Sequence, residues 1–135
     1  MGVVKRYYDC TIDDVNENFA SGIEEVLCYQ KGTGAIWFKC KNGNTVVFYH
    51  EQNCCEDVWL EDADGLVNGV DIFTDCDWCE VEKVQSDSYA ALNKYDESYT
   101  WTFYKFRTNK GYDFMRWYGT SNGYYSEDVD IQIER

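Results

Sequence analysis

The sequence predicts a strongly β-rich α+β fold: a mostly antiparallel sheet, one short N-terminal helix, and a cysteine-rich segment clamped by a metal. Three observations predict it. Among 135 residues there are 12 Tyr, 7 Phe and 5 Trp, broad rings that pack well on a pleated surface. Val129, Ile131 and Ile133 alternate with Asp130, Gln132 and Glu134, and Tyr99, Trp101 and Phe103 alternate with Thr100, Thr102 and Tyr104. That period of two marks half-buried strands. Finally, Asn42-Gly43 and Asn109-Lys110-Gly111 fall between strand-like runs, where tight hairpins need them.

Each element has a local cause. Thr11 is a good N-cap, acids fill the following turn, and Ile12, Val15 and Phe19 recur at helical spacing, so Thr11 to Phe19 reads as a helix that Ser21-Gly22 ends. Ile23 to Gln30, Ala35 to Lys41 and Thr45 to His50 form a meander joined by Lys31-Gly32-Thr33-Gly34 and Asn42-Gly43. A strand around Val58 and Leu60 follows, within Cys55 to Glu61, and then a short turn or helix at Asp64 to Val67. Strands at Glu80 to Gln85, Tyr99 to Arg107, Tyr112 to Gly119 and Val129 to Ile133 complete the set, with a helical turn at Tyr89 to Asn93. With no proline, no linker and no internal repeat, residues 1–135 are expected to be one domain, with an acidic, cysteine-rich element at about residues 50–82 inside it.

The charge is uneven. Glu51, Glu56, Asp57, Glu61, Asp62, Asp64, Asp71, Asp75, Asp77, Glu80 and Glu82 lie in a stretch without Lys or Arg, and the rest of the chain holds 14 acids against 12 bases. Nearly all of the net charge of -13 therefore comes from one quarter of the sequence. A pI near 4.3 opposes nonspecific binding to nucleic acid or to an anionic membrane and favours a basic protein partner. The N-terminus lacks an apolar signal core, and no apolar run approaches the roughly 20 residues that span a bilayer. These features lead us to expect a cytoplasmic monomer. In that compartment seven cysteines are more natural as thiols and metal ligands than as disulfides.

Cys76-Asp77-Trp78-Cys79 has the C-x-x-C spacing that lets two thiolates bind one tetrahedral ion. Upstream, His50 precedes Cys54 and Cys55. The expected site is one structural zinc held by His50, Cys54, Cys76 and Cys79, with Cys55 as the substitute for Cys54. Neighbouring side chains on extended backbone point apart and do not share an ion. In small finger peptides such a zinc contributes about 10–16 kcal/mol, enough to hold a self-repelling acidic segment against a sheet. Cys10, Cys28 and Cys40 fall beside apolar stretches and read as core. The same residues are compatible with three other chemistries: a redox Cys76/Cys79 pair, a zinc hydrolase with an open coordination position, and a nucleophile pair of His50 with Cys54 or Cys55. Lys105, Arg107, Lys110 and Arg116 interleave with rings from Trp101 to Tyr118, a pattern that can stack nucleobases but more often makes cross-strand contacts.

Two blocks carry a resemblance. His50-x-Gln52-x-Cys54-Cys55-Glu56-x-Val58 resembles the HxQxCCExV motif of an uncharacterised family of small phage and prophage proteins. The likeness continues through Ser98 to Phe106 and through Arg116-Trp117-Tyr118-Gly119-x-Ser121-Asn122-Gly123-Tyr124-Tyr125-Ser126-Glu127. The Cys76-x-x-Cys79 pair stands outside that pattern. More loosely, a short acidic phage protein with metal-like cysteines is similar to the anti-CRISPR inhibitors of type II Cas9 effectors, which hold nucleic acid in positive channels. The charge asymmetry together with these resemblances leads us to expect a non-enzymatic inhibitor that binds a basic host-defence nuclease such as Cas9 and blocks loading of target DNA, with Glu56, Asp57, Glu61, Asp62 and Asp64 as the contact face of a zinc-organised acidic surface and the exposed acids from Asp71 to Glu82 in reserve. The alternatives are a thiol-redox or zinc-dependent hydrolytic enzyme and a self-associating phage structural module.

Overall fold

A computed structural model describes residues 7–52, 54–63, 71–84 and 90–135. The one helix among them, α1 (Ile12–Phe19), starts as the sequence requires. The Thr11 hydroxyl accepts from the Asp14 amide at 3.3 Å and the Asp14 carboxylate accepts from the Thr11 amide at 3.0 Å, a reciprocal capping box. It ends at Ala20, and Gly22 turns the chain away with φ of 90°.

The strands are β1 (Tyr7–Asp9), β2 (Ile23–Leu27), β3 (Ala35–Cys40), β4 (Thr45–Tyr49), β5 (Asp57–Ala63), β6 (Cys79–Val84), β7 (Ser98–Thr108), β8 (Gly111–Ser121) and β9 (Asp130–Glu134). They make two antiparallel sheets, one ordered β1-β9-β4-β3-β2 and the other β5-β8-β7-β6. The expected single sheet is thus divided, and each sheet supplies one wall of a shared core. Ile36, Phe38, Val46, Phe48 and Ile133 come from the first, and Leu60, Val81, Tyr104, Phe106, Met115 and Trp117 from the second. Phe38 stacks on Phe106 with centroids 5.4 Å apart, and Phe48 meets Tyr104 edge-on at 5.1 Å. Val15 and Phe19 carry α1 into the same core, with Phe19 5.4 Å from Phe38 and 6.3 Å from Phe106.

Helix α1 also closes an edge. Strand β6 ends the four-stranded sheet, and its Val81 would present a free amide and carbonyl. The Asn16 side chain takes both, donating to the Val81 carbonyl at 2.9 Å and accepting from its amide at 2.7 Å. Nearby, Asn18 Oδ1 accepts from Asn42 and Asn44, tying the helix to the β3–β4 turn where Gly43 adopts φ of 93°.

The aromatic and basic residues of β7 and β8 split by face. Tyr104, Phe106, Met115 and Trp117 point inward, whereas Tyr99, Trp101, Lys105, Arg107, Tyr112, Phe114, Arg116 and Tyr118 share the outer face. On that face Arg107 pairs with Glu80 at 2.5 Å, Arg116 pairs with Asp62, and Lys105 lies over the rings of Tyr112 and Phe114. Tyr118 is nevertheless buried, because residues 90–96 cover it: its hydroxyl donates to Asp96 and accepts from the Leu92 amide. Of the helical turn expected at Tyr89 to Asn93, Tyr89 lies outside the described residues, and residues 90–93 are irregular chain with a bend at 92–93. The turn expected at Asp64 to Val67 lies outside the described residues. No helix among the described residues is long and apolar enough to cross a membrane.

Candidate functional site

The two motif blocks converge at one end of the molecule. Strand β4 ends at Tyr49 in the first sheet and β5 begins at Asp57 in the second, so the chain crosses between sheets over a few residues. Opposite, β8 ends at Ser121 and β9 begins at Asp130. The β4–β9 and β5–β8 pairings bring these two crossings together.

The crossing is organised around a buried carboxylate. The Glu56 side chain is fully enclosed and that of His50 is 4% exposed. His50 Nε2 lies 3.0 Å from Glu56 Oε1, and Nδ1 lies 2.8 Å from the Asp128 carbonyl. Both ring nitrogens of His50 therefore face protein oxygens. Glu56 Oε2 accepts the amides of Cys54 at 3.2 Å and Cys55 at 3.0 Å. Gln52 Nε2 donates to the carbonyls of Cys54 at 3.2 Å and Glu56 at 2.5 Å. Within the described part of the HxQxCCExV block, each polar residue therefore holds another in place. At the tip, Cys54 and Cys55 are exposed and joined by a disulfide.

The second block builds a matching support. Glu127 is 7% exposed and accepts from the Thr100 hydroxyl at 2.8 Å and the Ser121 hydroxyl at 2.5 Å. Gly119 lets it in: a Cβ there would lie 2.5 Å from the Glu127 carbonyl oxygen and 3.1 Å from Val58 of the first block. Ser121 also accepts from the Gly123 amide, which sits at φ of 93°.

The expected zinc is overturned. Among the described residues no three His, Cys, Asp or Glu side chains gather closely enough to hold an ion. Of the expected ligands, His50 is engaged by Glu56 and the Asp128 carbonyl, and Cys54 is bonded to Cys55. Cys76 and Cys79 lie far away. Thr120 pairs with both Asp57 and Tyr99, whereas Cys79 pairs with Thr108, nine residues further along β7. At roughly 3.3 Å per residue the two halves of the ligand set are separated by about 30 Å.

At that far end the cysteines are interior groups. Cys40, Cys76 and Cys79 are buried free thiols, and Cys76 Sγ accepts the Ile23 amide at 3.3 Å. Gly22 makes room for the loop, since a Cβ there would overlap the Cys76 carbonyl. Burial pushes the Cys40 thiol up to about 12 and raises Cys76 and Cys79 as well. A raised thiol is a poorer nucleophile, and Cys76 and Cys79 lie among the buried side chains of the core. Cys10 is half-buried and Cys28 is exposed in a left-handed turn with φ of 62°, so of the three cysteines expected in the core only Cys40 is fully there.

The acids expected to contact a partner are divided. Glu56 is buried in the His50 cluster, Glu61 pairs with Lys31 at 3.2 Å and accepts from the Trp59 indole, and Asp62 pairs with Arg116. Asp57 is exposed, and Asp64 lies outside the described residues. Further along, Asp75 pairs with Lys41 at 2.8 Å, which holds its carboxyl below the usual range, and Glu80 pairs with Arg107. The acidic segment is therefore partly neutralised by bases from other strands and loops. A different signal was available. Residues Asn42 to Glu82 and Trp117 to Glu134 contain no Lys or Arg, and the fold lays these two stretches side by side. Glu51, Asp57 and Asp128 are exposed there, beside a half-buried Asp130.

The model of a family described as a domain of unknown function, DUF7448, matches residues 11–131. No curated protein and no solved structure matches the chain.

Proposed function

The chain belongs to the DUF7448 family, and from that footing we propose that it is a non-enzymatic binding protein whose base-free end docks on a basic surface of a protein that handles nucleic acid. One observation carries this reading. The fold juxtaposes the two stretches that lack Lys and Arg, and the ion pairs of Lys31, Lys41, Arg107 and Arg116 fall on Glu61, Asp75, Glu80 and Asp62, whereas Glu51, Asp57 and Asp128 are exposed where the stretches meet. A field of one sign concentrated at one end speeds capture of a basic partner and makes it sensitive to salt. The contact set is Glu51, Asp57, Asp128 and Asp130; beside it buried Glu56 holds the amides of Cys54 and Cys55, and Asp130 accepts the amide of Glu51.

The phage-family resemblance points to a host-defence nuclease, and Cas9 is the partner to test first. Its channels hold guide and target strands by positive charge, so an acidic body lodged there blocks loading of target DNA. The protein is mixed with guide-loaded Cas9 while DNA binding and cleavage are followed across a salt series. Loss of DNA loading that weakens as salt rises supports the reading. Undiminished loading and cleavage at micromolar excess removes Cas9 as the partner. The triple variant Glu51→Gln/Asp57→Asn/Asp128→Asn then separates a charge effect from simple obstruction.

A further inference from the structure

We propose that Cys54–Cys55 is a reversible thiol–disulfide exchange site, reduced by thiols and re-formed by disulfides of the glutathione class. The inference is independent of the acidic-docking reading. Its basis is the contrast between an exposed sulfur pair and the enclosed polar base beneath it. The cysteines stand in solvent, where a small thiol can approach either sulfur. The amides of both converge on one oxygen of Glu56, while its other oxygen takes the ring of His50. Gln52 holds the carbonyl of Cys54. The backbone on each side of the sulfurs is therefore fixed by groups that do not depend on the S–S bond. The bond can open without releasing the turn, and the two thiols remain adjacent, ready to close again.

The step balances without a metal. A thiolate of the small thiol attacks one sulfur of the pair, the S–S bond breaks, and the other sulfur leaves as a thiolate that takes a proton. A second small thiol attacks the resulting mixed disulfide. The products are two cysteine thiols and one small-molecule disulfide, two electrons having passed to the protein. Re-formation is the reverse. His50 and Glu56 act as positioning residues in this scheme, since their contacts are to the ring, the amides and each other.

The test is differential alkylation of the native protein with peptide mapping by mass spectrometry. Without reductant, exposed Cys28 is labelled, whereas Cys54 and Cys55 are not. After equilibration with reduced glutathione or dithiothreitol, two further labels map to Cys54 and Cys55. Transfer into oxidised glutathione removes both again. Labelling of Cys54 and Cys55 before any reductant, with no protection gained in oxidised glutathione, would overturn the proposal. So would a pair that stays closed in excess dithiothreitol. The variant Cys54→Ser/Cys55→Ser must keep its melting temperature and lose the two reductant-dependent labels. Glu56→Gln, which retains hydrogen-bonding oxygen and nitrogen, is expected to slow re-closure several-fold while leaving the number of labels unchanged. An unaltered closure rate in a folded Glu56→Gln protein counts against the positioning role.

Discussion

One end of the four-stranded sheet carries Cys54 and Cys55, and the other carries Cys76 and Cys79, and the two pairs live in opposite media. Cys76 and Cys79 sit in the core together with Cys40, where burial raises every thiol and the loop is locked against Gly22. Cys54 and Cys55 stand in water, on a turn whose polar groups have turned inward to Glu56. Sulfur at the Cys76/Cys79 end behaves as a small apolar side chain, and at the Cys54/Cys55 end it is open to solvent. The lesson is that carboxylates, not cysteines, organise the motif end: Glu56 is enclosed by His50 and the amides of Cys54 and Cys55, and Glu127 by the hydroxyls of Thr100 and Ser121.

The comparison can be broken most forcibly at Glu56. Glu56→Ala strips the acceptor from His50 and from two amides, and it should cost about 3–5 kcal/mol, the range for removing one member of a buried pair. Urea denaturation measures it, and a loss below 1 kcal/mol on that scale would mean the cluster is not what holds this end. Next comes Gly119→Ala, whose new methyl collides with the Glu127 backbone. The expected cost is about 1–3 kcal/mol, seen as a lowered urea midpoint with unchanged slope.

The cysteines sharpen the contrast directly. Cys79→Ser places a hydroxyl in the core and should cost about 1–3 kcal/mol. Cys54→Ser/Cys55→Ser should cost less than about 0.5 kcal/mol, because a bridge between adjacent residues closes almost no loop in the unfolded chain. Equal losses in thermal unfolding would erase the distinction between the two ends.

A pH titration is subtler. Burial, then the hydrogen bond to Asp96, pushes Tyr118 up to about 12, from an ordinary value of 10. Its neutral form is favoured in the folded state, so this contribution is complete below about pH 10 and is lost as pH rises from there through about 12. Burial raises Tyr104 as well, so phenolate absorbance should show more than one late-titrating tyrosine, and Tyr118→Phe should remove one of them. Smallest of all is Asp57→Asn, which should leave stability within about 0.5 kcal/mol while reducing salt-sensitive capture of a basic partner. A stability loss larger than that would show Asp57 to be structural.

Much of the local structure was legible. Thr11 and Asp14 announce the helix start, Asn42-Gly43 and Asn109 to Gly111 announce hairpins, and the alternation of Val129 to Glu134 and of Tyr99 to Tyr104 identifies strands, because these signals depend on near neighbours. The division into two sheets was not, since a period of two says which side chains share a face and not which strand lies beside it. The three-residue β1, with its pairing to β9 at the far end of the chain, carries no periodicity of its own. The metal reading failed for a related reason: C-x-x-C spacing is local, whereas joining His50 to Cys79 needs a distance that only the β7 register fixes. Nor does an acid in an acidic run announce its burial. Glu56 looks like its exposed neighbour Asp57, yet the alternation puts it on the side of the chain that Val58 and Leu60 turn to the core, opposite Asp57.

Asn16 has a wider consequence. One carboxamide stands in for an entire missing neighbour of β6, filling a single rung of a ladder that would otherwise lie open to another molecule. Asn16→Ala leaves the Val81 amide and carbonyl unpaired on the outer edge of β6, so the helix serves as a plug as well as a piece of core.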